Sequence, residues 1–271
     1  MSIIENEILK ITQIKNPIDL QFNTLGRFEA LINGKSIDQK SWSRDKTLQL
    51  LQFLINVRYR RGLHKEQIIN RLWEDAERSA GDRDFKVAMH GINKALEPNR
   101  KSRTEPKYII RQGLTYQLNM QYIWLDIEVI ERLIELGNNA LHKNQDKAVK
   151  AYTKAIELYE GPFLPGRMYE DWCSEERERI QIIILSGIIN LAQLLTDSNP
   201  MESIRLCKKA LQIDKTWEDA YRIQMEAYII NGNRPLALRT FAECEEVLDE
   251  EFGIAPLPRT KALLQKIEGI S

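Results

Sequence analysis

Cysteine is scarce in this chain, and the three present (Cys173, Cys207 and Cys244) lie far apart with no C-x-x-C pair. That spacing supports neither a disulfide framework nor a cysteine zinc site, and a reducing cytoplasm is the expected location. Histidine is as sparse, with His64, His90 and His142 scattered along the chain. There is no H-E-x-x-H pair, no G-x-x-x-x-G-K-[ST] phosphate loop and no nucleophile elbow. An enzyme is therefore not expected, nor a metal or a cofactor. The paired carboxylates Glu175-Glu176 and Glu250-Glu251 are adjacent in sequence, so each pair splays apart on a helix rather than facing one site. Long apolar runs are missing too. The longest, IIILSGIINLA at 182–192, is broken by Asn190 and too short to cross a bilayer, so it reads as a core helix and no membrane partner is expected. At the N-terminus Glu5 and Glu7 stand where a signal peptide would need its apolar core, so export is not expected.

Net charge is absent as well, at zero overall, which argues against a generic nucleic-acid binder. Its distribution is uneven. Residues 1–119 carry 21 Lys and Arg against 14 Asp and Glu, whereas residues 120–271 carry 18 against 25. A basic first half is drawn to polyanions, and an acidic second half leaves its surface to protein partners. The expected division is thus 1–119 and 120–271, with 1–20 an extension of uncertain structure.

The two halves also differ in periodicity. In LQFNTLGRFEALINGKSI, at 20–37, short apolar stretches flank Asn33-Gly34, a pair suited to a tight hairpin turn. SRDKTLQLLQFLINVRY repeats apolar residues at helical spacing, with Ser43 placed to cap it. KEQIINRLW predicts a short helix. DRDFKVAMHGINKAL at 82–96 predicts a third, with Phe85, Met89, Ile92 and Leu96 for the core. YIIRQGLTYQL then predicts a hairpin turning near Gln112-Gly113. Strands, three helices and a hairpin make the winged helix-turn-helix plan, in which the third helix enters the major groove and the wing lies on the backbone or minor groove. The candidate DNA-binding residues are Arg83, Lys86, His90, Asn93 and Lys94 on that helix and Arg111 on the wing. After Trp124 the pattern is almost wholly helical. SIRLCKKALQI at 203–213 aligns with ALRTFAECEEV at 237–247 at an offset of 34 residues, the period of stacked helical hairpins of the tetratricopeptide kind. The expected fold is an α+β winged helix-turn-helix followed by an all-α TPR-like helical-repeat domain.

The phrases ELYEGPFLPG at 157–166 and YEDWCSEERERI at 169–180 strongly resemble the bacterial transcriptional activator domain, which follows a winged helix in antibiotic regulatory proteins of actinomycetes and their relatives. WLDIEVIERLI at 124–134 and the block from Asp214 to Ile267 agree, so the resemblance covers about residues 20–267. It implies a transcription regulator that binds double-stranded DNA through its third helix. It further implies a helical domain that meets RNA polymerase or another transcription factor, or forms a homodimer. Relatives place arginines in that helix in a pattern like S-R-L-R-R-A-L. The matching residues here run from His90 to Leu96, with Gly91 and Asn93 where two of those arginines would stand.

A second reading starts from two arginine-rich stretches. RYRRG, with Arg58, Arg60 and Arg61, and NRKSR, with Arg100 and Arg103, are dense in a residue that grips phosphate bidentately and stacks on purines. On that reading the chain is a ligand-gated receptor for a nucleotide second messenger, such as a cyclic dinucleotide, acting on transcription through a protein partner with little DNA binding of its own.

Overall fold

The computed structural model describes residues 2–14 and 18–269, the side chain of Arg78 excepted. The expected extension begins with a helix, α1 (Ile3–Thr12), which buries none of its residues and is started by a reciprocal bond pair between Ser2 and Glu5. Residues 15–17 of the extension lie outside the described residues.

Two compact units result, each discontinuous in sequence. One comprises residues 12–129 and 160–180, the other 1–11, 130–159 and 181–271. These are packing units, and their borders differ from a single cut near residue 119 because residues 160–180 pack with the first half of the chain.

The first unit opens with β1 (Leu20–Asn23), β2 (Glu29–Ile32) and β3 (Lys35–Ser36). Asn33 and Gly34 both take positive φ, 50° and 75°, and form the two-residue turn that pairs β2 with β3. A fourth strand, β7 (Ile123–Leu125), joins β1 in parallel, giving the order β3-β2-β1-β7. The three helices follow as α2 (Asp45–Asn56), α3 (Lys65–Leu72) and α4 (Arg78–Leu96). Ser43 does not cap α2. It closes a preceding 3-10 turn, itself capped by Asp38, and Arg44 takes the N-cap position without a side-chain bond. The real side-chain cap lies on α3, where the His64 ring accepts from the backbone and Gln67 reciprocates. The wing is β5 (Ile109–Gln112) and β6 (Thr115–Leu118), turning at Gly113-Leu114, with the short β4 (Leu63–His64) on the other side of β6. Leu50, Leu51, Leu54, Ile55, Ile68 and Ile92 are fully buried in its core. Phe85 is the aromatic hinge of that core, edge-on to Trp73 and Tyr116 at 6.4 and 5.0 Å between centroids.

Residues 160–180 belong to this unit through backbone contact. Gly26 N–H donates to the Pro162 carbonyl at 3.0 Å, and Leu164 N–H donates to the Thr24 carbonyl at 2.9 Å. Trp172, 8% exposed, sets its ring edge-on to Phe53 of α2, and its indole N–H finds Glu170. Arg177 donates to the carbonyls of Phe163 and Arg167, and Arg167 forks onto Asp45 at the start of α2. That guanidinium holds the Asp45 carboxyl below the usual carboxylate range. The Gly-Pro phrase is thus a strap laid over the strand end and α2, which fits an architectural role.

The second unit is helical. Its elements are α1, most of α5 (Asp126–Ala140), α6 (Gln145–Leu158), most of α7 (Ser174–Leu195), α8 (Pro200–Ile213), α9 (Glu218–Ile230), α10 (Arg234–Phe252) and α11 (Pro258–Glu268). The repeat offset is visible at its caps: Asn199 and Asn233 each accept from the backbone three residues on, and Asn144 does the same for α6. Tyr152 is fully buried where α5, α6 and α7 converge. Its hydroxyl donates to Asn138 and accepts from Asn190, and Gly137 leaves no room for a Cβ against its ring. The apolar run at 182–192 is longer as a helix than as a run. α7 has 22 residues and is long and apolar enough to cross a bilayer by composition, yet Ile184, Leu185, Ile188 and Leu191 are buried inside the protein.

Candidate nucleic-acid interface

Burial along α4 sorts its residues cleanly. Phe85, Ala88, Met89, Ile92, Ala95 and Leu96 face the core, while Arg83, Lys86, Val87, His90 and Lys94 are exposed, at the three- and four-residue spacing of one helical stripe. Asn93 is half-buried at the edge of that stripe. Arg111 is exposed on β5, its guanidinium donating to the Gly113 carbonyl and lying 5.7 Å from the Tyr116 ring centre.

A groove of about 280 Å³ runs between α4 and the wing, lined by Lys86, His90, Asn93 and Arg111 together with Glu105 and Pro106. The chain thus brings four of the six expected residues to one concave surface, two of them cations beside the carboxylate of Glu105. Arg83 lies on the same helix face, N-terminal to the groove, and Lys94 toward the helix end. The cations are not equally free. Lys86 pairs with Asp82 at 2.6 Å and Arg83 touches Asp84 at 3.5 Å, whereas Lys94 has no ion-pair partner among the described residues.

Gly91 has a structural cause. A Cβ there would stand 2.9 Å from both Cγ2 and Oγ1 of Thr47, a buried residue of α2, so the glycine faces the packing partner of α4 rather than the groove. The weak helix propensity is the cost of a close α2–α4 crossing, and the position would not present an arginine to DNA. Gly91→Ala should lose about 1 kcal/mol of stability, overpacking of about 1–3 kcal/mol outweighing a propensity gain of about 1. Adding Thr47→Ala should reverse the sign, since the methyl then has space. Urea midpoints of the single and double variants measure this, and additive losses would place Gly91 elsewhere.

The arginines expected to grip a phosphate ligand are placed differently from one another. Arg58 is not available for that role: its side chain is 1% exposed, held by Glu176 at 2.8 Å with Glu128 beyond, and stacked 4.1 Å from the Tyr59 ring centre. Arg60 and Arg61 are exposed in the turn after α2. Arg60 lines a cleft shared with Trp172, Glu175 and Arg179. Arg100 bonds the Thr104 carbonyl in the loop after α4, and Arg103 is exposed there with a φ of 67°. No group of three or more metal-ligating side chains occurs among the described residues.

Two residues at this groove carry charge that the motif reading did not single out. Asp82 was legible from its i,i+4 spacing to Lys86, a pairing that helices favour. Glu105 carried no signal, since it reaches the groove from an irregular loop.

A winged helix-turn-helix joined to a helical-repeat module defines the class of protein. The chain belongs to the family of the bacterial transcriptional activator domain, whose profile matches residues 125–268, more than half of the sequence. It is therefore a member of a transcriptional activator family. Among solved structures it is similar to EmbR of Mycobacterium tuberculosis, determined in complex with a low-affinity phosphopeptide. The TM-score is 0.79 at 18% identity, over 92% of this chain and 65% of that chain. The present chain spans just under two thirds of the length of that neighbour, and at this identity the likeness concerns the fold. No curated protein sequence matches the chain.

Proposed function

We propose that the protein regulates transcription by binding double-stranded DNA, with α4 in the major groove and the β5–β6 wing against the backbone. The observation that carries this reading is the convergence of Lys86, His90, Asn93 and Arg111 on one groove between helix and wing. Lys94 and Arg111 supply phosphate contacts, which fix register without reading sequence. Asn93 and His90 supply hydrogen-bonding groups for base edges, where an Asn amide matches the N6 and N7 positions of adenine. Asn93 stands where the family pattern has an arginine, so the chain leans less on guanine and more on such polar contacts. The acidic helical-repeat domain serves protein contacts, with polymerase, another transcription factor or a second copy as partner. The reading of a nucleotide-messenger receptor has weaker support, because burial removes Arg58 from the cluster it needs.

Retention of purified protein on a pool of genomic duplex fragments, across a salt series, tests the proposal. Selective retention should fall steeply with salt, and Lys94→Ala/Arg111→Ala should weaken binding to all sequences and lower the salt slope by about 2. Absence of any retention at moderate salt would sink direct DNA binding.

A further inference from the structure

Asp82 lies one turn before Lys86 on α4 and is met from two sides. Lys86 reaches one carboxylate oxygen at 2.6 Å, and Lys65, the first residue of α3, holds the other. Hydrogen bonds from Lys65 and then Lys86 pull the Asp82 carboxyl down to about 2, so it stays charged at any pH used for binding. Lys86 meanwhile lines the groove between α4 and the wing. One ammonium group therefore stands between a carboxylate of its own helix and the surface assigned to DNA.

We infer that Asp82 is a brake on DNA binding: it competes with the phosphate backbone for Lys86 and so lowers the charge-driven part of the affinity. The inference rests on the DNA-binding reading above. A lysine neutralised within the protein gains less by meeting a phosphate, and the carboxylate it leaves behind repels the same backbone. Non-specific association depends almost wholly on such charge contacts, whereas a specific complex adds base-edge bonds that Asp82 does not oppose. The cost in free energy is the same on every sequence, and it is most visible on duplexes without a site, where charge contacts are nearly all of the affinity. Arg83 beside Asp84 and Glu105 inside the groove extend the same pattern, leaving Lys94 as the unpaired cation of the stripe among the described residues.

The test is Asp82→Asn in the full chain, measured against a random-sequence duplex over a salt series beginning at about 50 mM. The variant should bind about fivefold tighter at low salt, the size of one released surface ion pair, with a salt slope steeper by about 1. Asp82→Glu keeps the charge and should bind as the parent does. Lys65→Gln is the check on loosened packing. It removes the α3 tether while leaving Asp82 wholly to Lys86, so it should weaken binding. Tighter binding by Lys65→Gln would assign the Asp82→Asn effect to α3–α4 mobility and overturn the inference. Equal affinity of Asp82→Asn and parent would overturn it while leaving DNA binding in place. If parent and variant both fail to bind duplex at about 50 mM salt, the DNA-binding reading falls and takes the inference with it.

Discussion

Gly26→Ala should cost the protein at least about 3 kcal/mol, whereas Gly34→Ala should cost about 1. Both glycines have a φ of 75°, so the left-handed strain of a new Cβ is the same at each. Their surroundings differ. Nothing lies within 4 Å of a Cβ built on Gly34, while one built on Gly26 falls 2.7 Å from the backbone carbon and oxygen of Glu160. No side chain can rotate away from that contact, because the obstacle is main chain. Two ladder-like bonds, Gly26 to Pro162 and Leu164 to Thr24, fix the strap at that distance, and a Cβ built on Gly161 would in turn fall 2.9 Å from the Gly26 Cα. Relief would require the strap to lift, giving up the burial of Phe163 and Leu164. Urea unfolding of the two variants separates the steric part from the shared strain, and equal losses would mean that the strap does not lie on the strand end.

The second large loss is expected at Asp126. This residue begins α5 and is 5% exposed, and its carboxylate accepts four hydrogen bonds. Thr24 N–H and Leu25 N–H donate to one oxygen at 2.5 and 3.0 Å, and the Thr24 hydroxyl and Ile127 N–H donate to the other at 2.7 and 2.8 Å. Burial pushes the carboxyl above its ordinary range, against the pull of those donors. Asp126→Ala strands three buried backbone N–H groups, each costing about 1–3 kcal/mol unpaired, so a loss of about 4 kcal/mol is expected. Asp126→Asn should lose about 2, since its amide nitrogen can turn toward the Thr24 hydroxyl, which switches to acceptor, leaving Ile127 N–H alone without a partner. Thr24→Val should lose about 1. A scan of unfolding free energies in that order supports the pairing, and a neutral Asp126→Ala would refute it.

Neither residue announces itself in the sequence, for the same reason. Asp126 and Thr24 are 102 positions apart, and Gly26 and Glu160 further still, so no periodicity links them. Local chemistry was legible where local forces decide. Asn33-Gly34 forms its turn, the core stripe of α4 is as spaced, and the 34-residue offset reappears as matched asparagine caps at Asn199 and Asn233. The parallel strand β7 was not legible, since three residues carry too little alternation to declare a strand. In the sequence Gly91 shows only as a missing arginine. Its neighbour Thr47 comes from another helix, and only the crossing reveals the need for a small residue. Arg58 illustrates the opposite error: arginine density in RYRRG resembles an anion grip, but the carboxylate that claims Arg58 is Glu176, supplied by the strap.

The interleaving of the strap with the winged helix has a consequence during synthesis. The wing ends at Leu118, yet the unit that carries it includes residues up to 180. At a translation rate of about 5–20 residues per second, the ribosome needs roughly 3–12 s more to deliver the strap. In that interval Phe53 has no Trp172 to cover it and Arg58 no Glu176 to neutralise it. The nascent chain thus passes through a stage in which its helices and wing exist but α2 is not yet braced, and it leaves that stage only after α6 has been made.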